Sequence, residues 1–95
     1  MKHFILAKFK PGVADKAALL APIRSLFSAA SDIPGVRGAE VYPCCVDRPN
    51  RYDVMIVLDM DPAALSLYDE SAMHHAWKDQ YGDLLEKKAI FDGEI

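Results

Sequence analysis

The chain lacks any apolar run long enough to cross a bilayer. A membrane-spanning helix needs about 20 consecutive apolar residues, whereas the apolar N-terminal segment is interrupted by Lys8 after a few positions. That segment also lacks the small-residue cleavage site of a secretory signal. We therefore expect no membrane partner, and we expect the protein in the cytoplasm.

Cysteine is scarce, and the two that occur, Cys44 and Cys45, are neighbours in sequence. A disulfide between them would close almost no loop and would hardly constrain the unfolded chain. Structural zinc needs four ligands at recognisable spacing, and no second cysteine pair or spaced histidine pair completes such a set. We expect free thiols, no bound metal and no other cofactor.

Positive charge is neither abundant nor clustered in the sequence. The 11 Lys and Arg residues are scattered among 14 Asp and Glu residues, which gives a formal net charge of −3. A nucleic-acid interface normally carries a basic patch, so nucleic acid is not an expected partner. With 52% apolar and 26% charged residues the composition is that of a globular protein. Its length predicts one domain over residues 1–95.

Hydrophobic periodicity predicts strands and helices in the order β-α-β-β-α-β. A helical stripe begins near residue 15, and Pro22 inside it predicts either a kink or a true helix start just before that proline. Pro34 and Gly35 end this helix. The strands are predicted over residues 2–9, 36–43, 52–60 and 86–93. This order is the split βαβ arrangement of α+β ferredoxin-like folds.

The second helical region contains a predicted interruption. Asp61 is expected to cap its start, with Pro62 at the first helical position. Between Tyr68 and Ala72 the sequence becomes polar, and Ser71 can cap a fresh helical stretch that ends at Gly82. We therefore predict two consecutive helices in this region.

The third predicted strand is apolar on both of its faces. Residues 54–58 are five consecutive apolar residues, a pattern typical of a strand that is covered on both sides. Two helices cover only one face of a four-stranded sheet, and an exposed apolar face marks an interface. We therefore expect a symmetric homodimer in which the two sheets face each other.

The candidate site lies in the segment "YDESAMHHAW", residues 68–77. Residues six apart on an unbroken helix lie about 240° apart around its axis, so Tyr68 and His74 converge only if the helix is interrupted. A continuous helix would pair Tyr68 with His75 instead. Because Ser71 favours an interruption, we predict that Tyr68 and His74 line a ligand pocket. His3, on the first strand, could line the floor of that pocket.

The chemistry of these side chains suits proton abstraction next to a carbonyl group. A histidine with a pKa of about 6.5 can accept a proton at neutral pH. A nearby tyrosine can donate a hydrogen bond to an oxygen that gains negative charge. His74 is the predicted base and Tyr68 the predicted donor.

Five segments in a fixed order resemble a known family across essentially the full length. They are "KHFILAKFKPG", "IPGV", "YDVMIVLDM", Tyr68 with His74, and "LEKKAIFD". In this order they resemble the stress-responsive A/B barrel (Dabb) family of the dimeric α/β-barrel superfamily. The resemblance implies a protomer whose sheet faces that of a partner in a dimer. Some relatives, the plant polyketide cyclases, close a linear polyketide without a cofactor, and by resemblance their roles fall on Tyr68, His74 and His3.

The sequence departs from that family pattern at three positions. The family motif often has His-Pro between the tyrosine and the second histidine, where this chain has Ser71 and Ala72. The cyclases also carry a histidine in the third strand, where this chain has Val54. The ligand of those cyclases therefore need not be the ligand here.

Three functions are compatible with these residues. The first is a cofactor-independent cyclase or lyase that binds a small, largely apolar carbonyl compound and acts through His74 and Tyr68. The second is a monooxygenase of the antibiotic-biosynthesis or haem-degrading type, for which Trp77 and a nearby histidine are suggestive. The third is a non-catalytic, stress-related ligand-binding protein in which Tyr68 and His74 satisfy each other's hydrogen-bonding needs. The sequence leaves all three open.

Overall fold

The computed structural model describes residues Met1–Ile95 as a four-stranded sheet with helices on one face. The strands are β1 (Lys2–Phe9), β2 (Val36–Pro43), β3 (Val54–Met60) and β4 (Leu85–Gly93). The helices are α1 (Leu20–Phe27), α2 (Leu65–Glu70) and α3 (Ala72–Tyr81). The strand order is β2-β3-β1-β4, and all neighbouring pairs are antiparallel. The predicted ferredoxin-like α+β fold is confirmed.

The core lies between the sheet and the helices. Side chains of β1 and β3 alternate between buried and half-buried because successive residues of a strand point to opposite faces. The buried set packs with the inner faces of the helices into one cluster of 18 residues. Its largest side chains include Trp77, Tyr68 and Phe27. His3 is the single buried polar residue, at 5% exposure, and it points towards the helices.

The start of α1 explains how Pro22 is tolerated. A short 3₁₀ turn over Ala17–Leu19 precedes the α-helix, which begins at Leu20. Pro22 therefore lies in the first turn, where backbone N–H groups have no helical partner and a missing one does no harm. The expectation of a helix start just before Pro22 is confirmed.

Asp61 occupies the predicted N-cap position, with Pro62 following it in the first turn, but the capping hydrogen bond expected of its side chain is absent. The carboxylate of Asp61 makes no capping hydrogen bond to the following turn. It accepts instead from the guanidinium of Arg37 at 2.7 Å, which also donates to Asp59 at 2.9 Å. Arg37 lies on the neighbouring strand and competes successfully for the carboxylate. The hydrogen bond from Arg37 also holds the pKa of Asp59 below its ordinary value.

The outer face of the sheet is not covered by any element of the protomer. Phe4, Leu6, Met55 and Val57 are half-buried there, and Phe91 is 62% exposed. These five residues are called the outer apolar patch below. Its position is the one expected of a sheet-to-sheet interface.

No helix of the structure combines the length and the apolar character that crossing a bilayer requires.

Candidate functional site

Ser71 interrupts the second helical region and sets the geometry of the site. Its backbone is extended (φ −68°, ψ 151°) between the end of α2 and the start of α3. The Ser71 hydroxyl accepts a hydrogen bond from the backbone N–H of His74 at 3.1 Å and donates one to the carbonyl of Tyr68 at 2.7 Å. The Ser71 side chain thus forms hydrogen bonds to the backbone of both Tyr68 and His74. The interruption predicted at Ser71 is confirmed.

The ring of Tyr68 lies between two imidazole rings. Its centroid is 4.7 Å from that of His74 and 5.3 Å from that of His3. Tyr68 is 1% and His3 5% exposed, whereas His74 is half-buried. His75, the alternative partner for a continuous helix, is exposed on α3. The structure therefore brings the three predicted site residues together, and their chemical roles stay predictions.

The hydroxyl group of Tyr68 is buried and has no hydrogen-bond partner. Leaving a buried polar group unpaired costs about 1–3 kcal/mol, so an unpaired hydroxyl in a folded protein needs an explanation. Burial, together with the negative charge of Asp69, raises the pKa of the Tyr68 phenol. At neutral pH the phenol is therefore protonated. It is a hydrogen-bond donor that no other group of the protein uses.

Both imidazoles are held through their Nδ1 atoms. Nδ1 of His74 lies 2.9 Å from the backbone carbonyl of Asp69. Nδ1 of His3 lies 2.5 Å from a carboxylate oxygen of Asp92. A carbonyl or a carboxylate can only accept, so each Nδ1 carries the hydrogen and the neutral ring keeps its lone pair on Nε2. Nε2 of His74 can therefore accept a proton.

Asp92 is the neighbour of the candidate site that sequence reasoning missed. It lies 89 positions from His3 in the chain, and the two residues are directly opposite each other in the β1–β4 ladder. The sequence indicates this contact only indirectly, through the pairing of the first and last strands that the fold requires. Aligning them antiparallel would have placed a carboxylate beside the histidine.

Trp77 belongs to the core and does not line the site. It is 2% exposed, and its ring centroid lies 5.4 Å from that of Phe27 in an edge-on arrangement and 5.3 Å from that of Tyr81. A tryptophan packed in this way has no free face for a flat cofactor. Trp77, which suggested a monooxygenase of the antibiotic-biosynthesis or haem-degrading type, therefore does not line a site for such a cofactor.

The site is closed in this structure. None of the four cavities is lined by His3, Tyr68 or His74. His74 is the most exposed of the three. The Tyr68 hydroxyl also makes no hydrogen bond to His74. The mutual pairing that the non-catalytic alternative assumed is therefore not found.

The comparisons with known proteins agree on the fold. A dimeric protein of unknown function and ferredoxin-like fold from Bacteroides fragilis superposes with a TM-score of 0.82 at 18% identity, covering 99% of this chain and 94% of that one. The hydroxynitrile lyase from Passiflora edulis gives a TM-score of 0.75 at 13% identity, covering 99% and 91%. A protein from Nitrosomonas europaea, provisionally assigned as an antibiotic biosynthesis monooxygenase, gives 0.70 at 18% identity, covering 99% and 98%. At these identities the likeness shows the fold alone.

No curated protein matches the sequence of this chain. The sequence profile of the Stress responsive A/B Barrel Domain (Dabb), in contrast, matches residues 1–95. This match covers every segment on which the sequence resemblance rests, and the sheet order agrees with it. The chain belongs to the stress responsive A/B barrel domain family.

Proposed function

We propose that residues 1–95 form a single domain that binds a small, largely apolar carbonyl compound and abstracts a proton next to its carbonyl group, without a cofactor. The observation that carries this proposal is the buried Tyr68 hydroxyl, which has no protein partner and belongs to a ring that lies between two imidazoles. A ligand oxygen beside it would supply the missing acceptor. The cytoplasm is the proposed compartment.

His74 is the proposed base. Its Nε2 lone pair takes a proton from the carbon next to the carbonyl. The electron pair of that C–H bond forms a carbon–carbon double bond, and the π pair of the carbonyl group moves onto its oxygen to give an enolate. Tyr68, kept protonated by burial, donates a hydrogen bond to this oxygen, which stabilises the developing charge. The enolate carbon then attacks an electrophile or recovers the proton from the His74 imidazolium. His3 packs against the other side of Tyr68, and Asp92 fixes its ring.

The proposed assembly is a homodimer joined through the outer apolar patch. The uncovered side chains of Phe4, Leu6, Met55, Val57 and Phe91 support it. Solved structures of similar fold from Bacteroides fragilis, Thermobifida fusca and Jannaschia are described as dimeric.

The hydroxynitrile lyase from Passiflora edulis supports the lyase part of the proposal. Its name indicates that a protein of the same fold acts on a hydroxynitrile. The alternative function is that of an antibiotic-biosynthesis monooxygenase, because the Nitrosomonas europaea protein of similar fold is provisionally assigned that function. The haem-degrading variant of that alternative is disfavoured by the position of Trp77 in the core. Titration with haem tests it, since an unchanged Soret band on mixing would remove it.

Exchange of carbon-bound hydrogen in D₂O tests the proposed chemistry without knowledge of the final product. Acetophenone and a 1,3-diketone are incubated with the protein, and loss of their α-proton signals is followed by NMR. General base catalysis contributes about 10²–10⁴-fold, so His74→Ala should lose about 10²-fold of the protein-dependent rate. His75→Ala is the matched control and should exchange as fast as the wild type.

Two results would contradict the proposal. Equal exchange by the wild type and His74→Ala would place the base elsewhere. Binding of the ketones, seen as a thermal shift, without any exchange above the buffer rate would favour the non-catalytic alternative.

A further inference from the structure

The largest cavity of the protein lies far from Tyr68. It has a volume of about 800 Å³ and lies between the β2–β3 loop (residues 44–53) and the start of α1. It borders Phe9 at the end of β1, whereas His3 lies at the opposite end of the same strand. Six residues of extended strand span about 20 Å. This loop-end cavity is therefore separate from the site around Tyr68.

The floor of the loop-end cavity is apolar. Phe9, Ile23 and Val54 line it and are 3%, 1% and 5% exposed. Leu20, in the first turn of α1, adds a half-buried aliphatic side chain. A volume of this size lies within the range of about 300–1,000 Å³ that small-molecule sites occupy. The cavity can therefore hold the apolar body of a small ligand.

The rim of the same cavity is basic, in contrast to the chain as a whole. The protein carries a formal net charge of −3, yet four basic and two acidic residues line this cavity. They are Lys8, Lys16, Arg48 and Arg51, against Asp47 and Asp53. A concave surface on which one sign of charge predominates attracts ligands of the opposite sign.

The charged groups of the rim differ in the hydrogen bonds and ion pairs that they form within the protein. Lys8 donates to the carbonyls of Pro49 and Arg51 at 2.8 and 3.0 Å. Lys16 lies 3.6 Å from Asp53, whose carboxylate also accepts from the backbone N–H of Phe9 at 2.8 Å. The guanidinium of Arg48 is the basic group of the rim that forms neither a hydrogen bond nor an ion pair within the protein.

The β2–β3 loop is held in place by backbone contacts. Cys44 N–H donates to the carbonyl of Asp53 at 2.9 Å, and Asp53 N–H donates to the carbonyl of Ala7 at 2.9 Å. Arg51 N–H donates to the carbonyl of Arg48 at 3.1 Å. The cavity is therefore formed before any ligand arrives, which lowers the entropic cost of binding.

We propose that the loop-end cavity binds a small organic carboxylate, with its apolar body on the floor of Phe9, Ile23 and Val54 and its carboxylate at Arg48 and Lys16. Guanidinium groups match carboxylates in shape and charge and bind them through paired hydrogen bonds. A cation would be repelled by the basic rim, and an uncharged compound would lack the charge-assisted hydrogen bond to Arg48. This site is independent of the chemistry proposed at Tyr68.

Octanoate is the probe for this site, with octanol and octylamine as matched uncharged and cationic compounds. Isothermal titration calorimetry should show octanoate binding about fivefold or more tightly than either. Cys44 and Cys45 are free, exposed thiols that line the cavity. Saturating octanoate should therefore slow their reaction with a thiol reagent, whereas octylamine should not.

Variants decide which charges bind the carboxylate. The double variant Arg48→Gln with Lys16→Gln should weaken octanoate binding about fivefold or more, with an unchanged circular dichroism spectrum. Lys78→Gln, on the exposed side of α3, is the matched control and should bind as the wild type does. Tyr68→Phe should also bind octanoate normally, because the two sites are separate.

Four results would overturn the proposal. They are no binding of octanoate at millimolar concentration, equal affinity for octanol, an equal loss of affinity in Lys78→Gln, and loss of octanoate binding in Tyr68→Phe. The last result would place the carboxylate at the Tyr68 site instead.

Discussion

Replacing Tyr68 by phenylalanine should stabilise the protein while it removes the proposed function. The substitution deletes only the hydroxyl group, which is buried and unpaired, and keeps the ring that contacts His3 and His74. An unpaired buried polar group costs about 1–3 kcal/mol. We therefore expect the free energy of unfolding to rise by about 1 kcal/mol, which corresponds to about 4–8 °C in melting temperature for a domain of this size.

The assay is urea denaturation at one fixed protein concentration, because the stability of the proposed dimer would depend on concentration. The dependence of the free energy on urea should be unchanged, since the surface exposed on unfolding hardly differs. Tyr52→Phe, at a half-buried tyrosine outside the site, is the control and should change stability by less than about 0.5 kcal/mol. A loss of 1 kcal/mol or more in Tyr68→Phe would refute the reasoning, because it would mean that the hydroxyl has a partner in the folded protein.

Three further predictions test other parts of the account. Ser71→Ala should lower the free energy of unfolding by about 0.5–2 kcal/mol through loss of the cap and should reduce ketone exchange, whereas Ser28→Ala, at an exposed serine, should do neither. Folding raises the pKa of Tyr68. The contribution of this group to stability is therefore complete below its unfolded pKa of about 10 and is lost as pH rises above that value. The loss is about 1.4 kcal/mol per pH unit until the native pKa is reached. The wild type should show this loss relative to Tyr68→Phe in denaturation at pH 9 to 12, and parallel curves would contradict it. Val57→Lys, in the outer apolar patch, should yield a monomer in sedimentation velocity, whereas Leu67→Lys, at an exposed leucine on α2, should leave the dimer intact.

Elements set by local chemistry could be predicted from the sequence. Alternating apolar residues placed β1, and β2 was predicted with its observed bounds. The proline rule placed the start of α1 just before Pro22, and the capping preference of serine placed the break at Ser71. In each case the cause lies within a few residues of its effect. The convergence of Tyr68 and His74 followed from that one break.

Features that depend on contacts between distant segments could not be predicted in the same way. Asp61 occupies the predicted N-cap position, but its carboxylate binds Arg37 on another strand instead of capping the turn. The pairing of His3 with Asp92 joins the two ends of the chain. The loop-end cavity arises where the β2–β3 loop folds over the start of α1. None of these contacts is visible in the periodicity or local composition of the segments involved.

The carbonyl ¹³C chemical shift of a bound ketone tests the central claim most directly. Acetophenone labelled at its carbonyl carbon is titrated into the wild type and into Tyr68→Phe, and the shift of the bound form is compared. A hydrogen bond from the buried Tyr68 hydroxyl polarises the carbonyl, so we predict a downfield shift in the wild type that is lost in the variant. The same bound shift in both proteins would contradict the claim that this hydroxyl is the donor for the ligand oxygen.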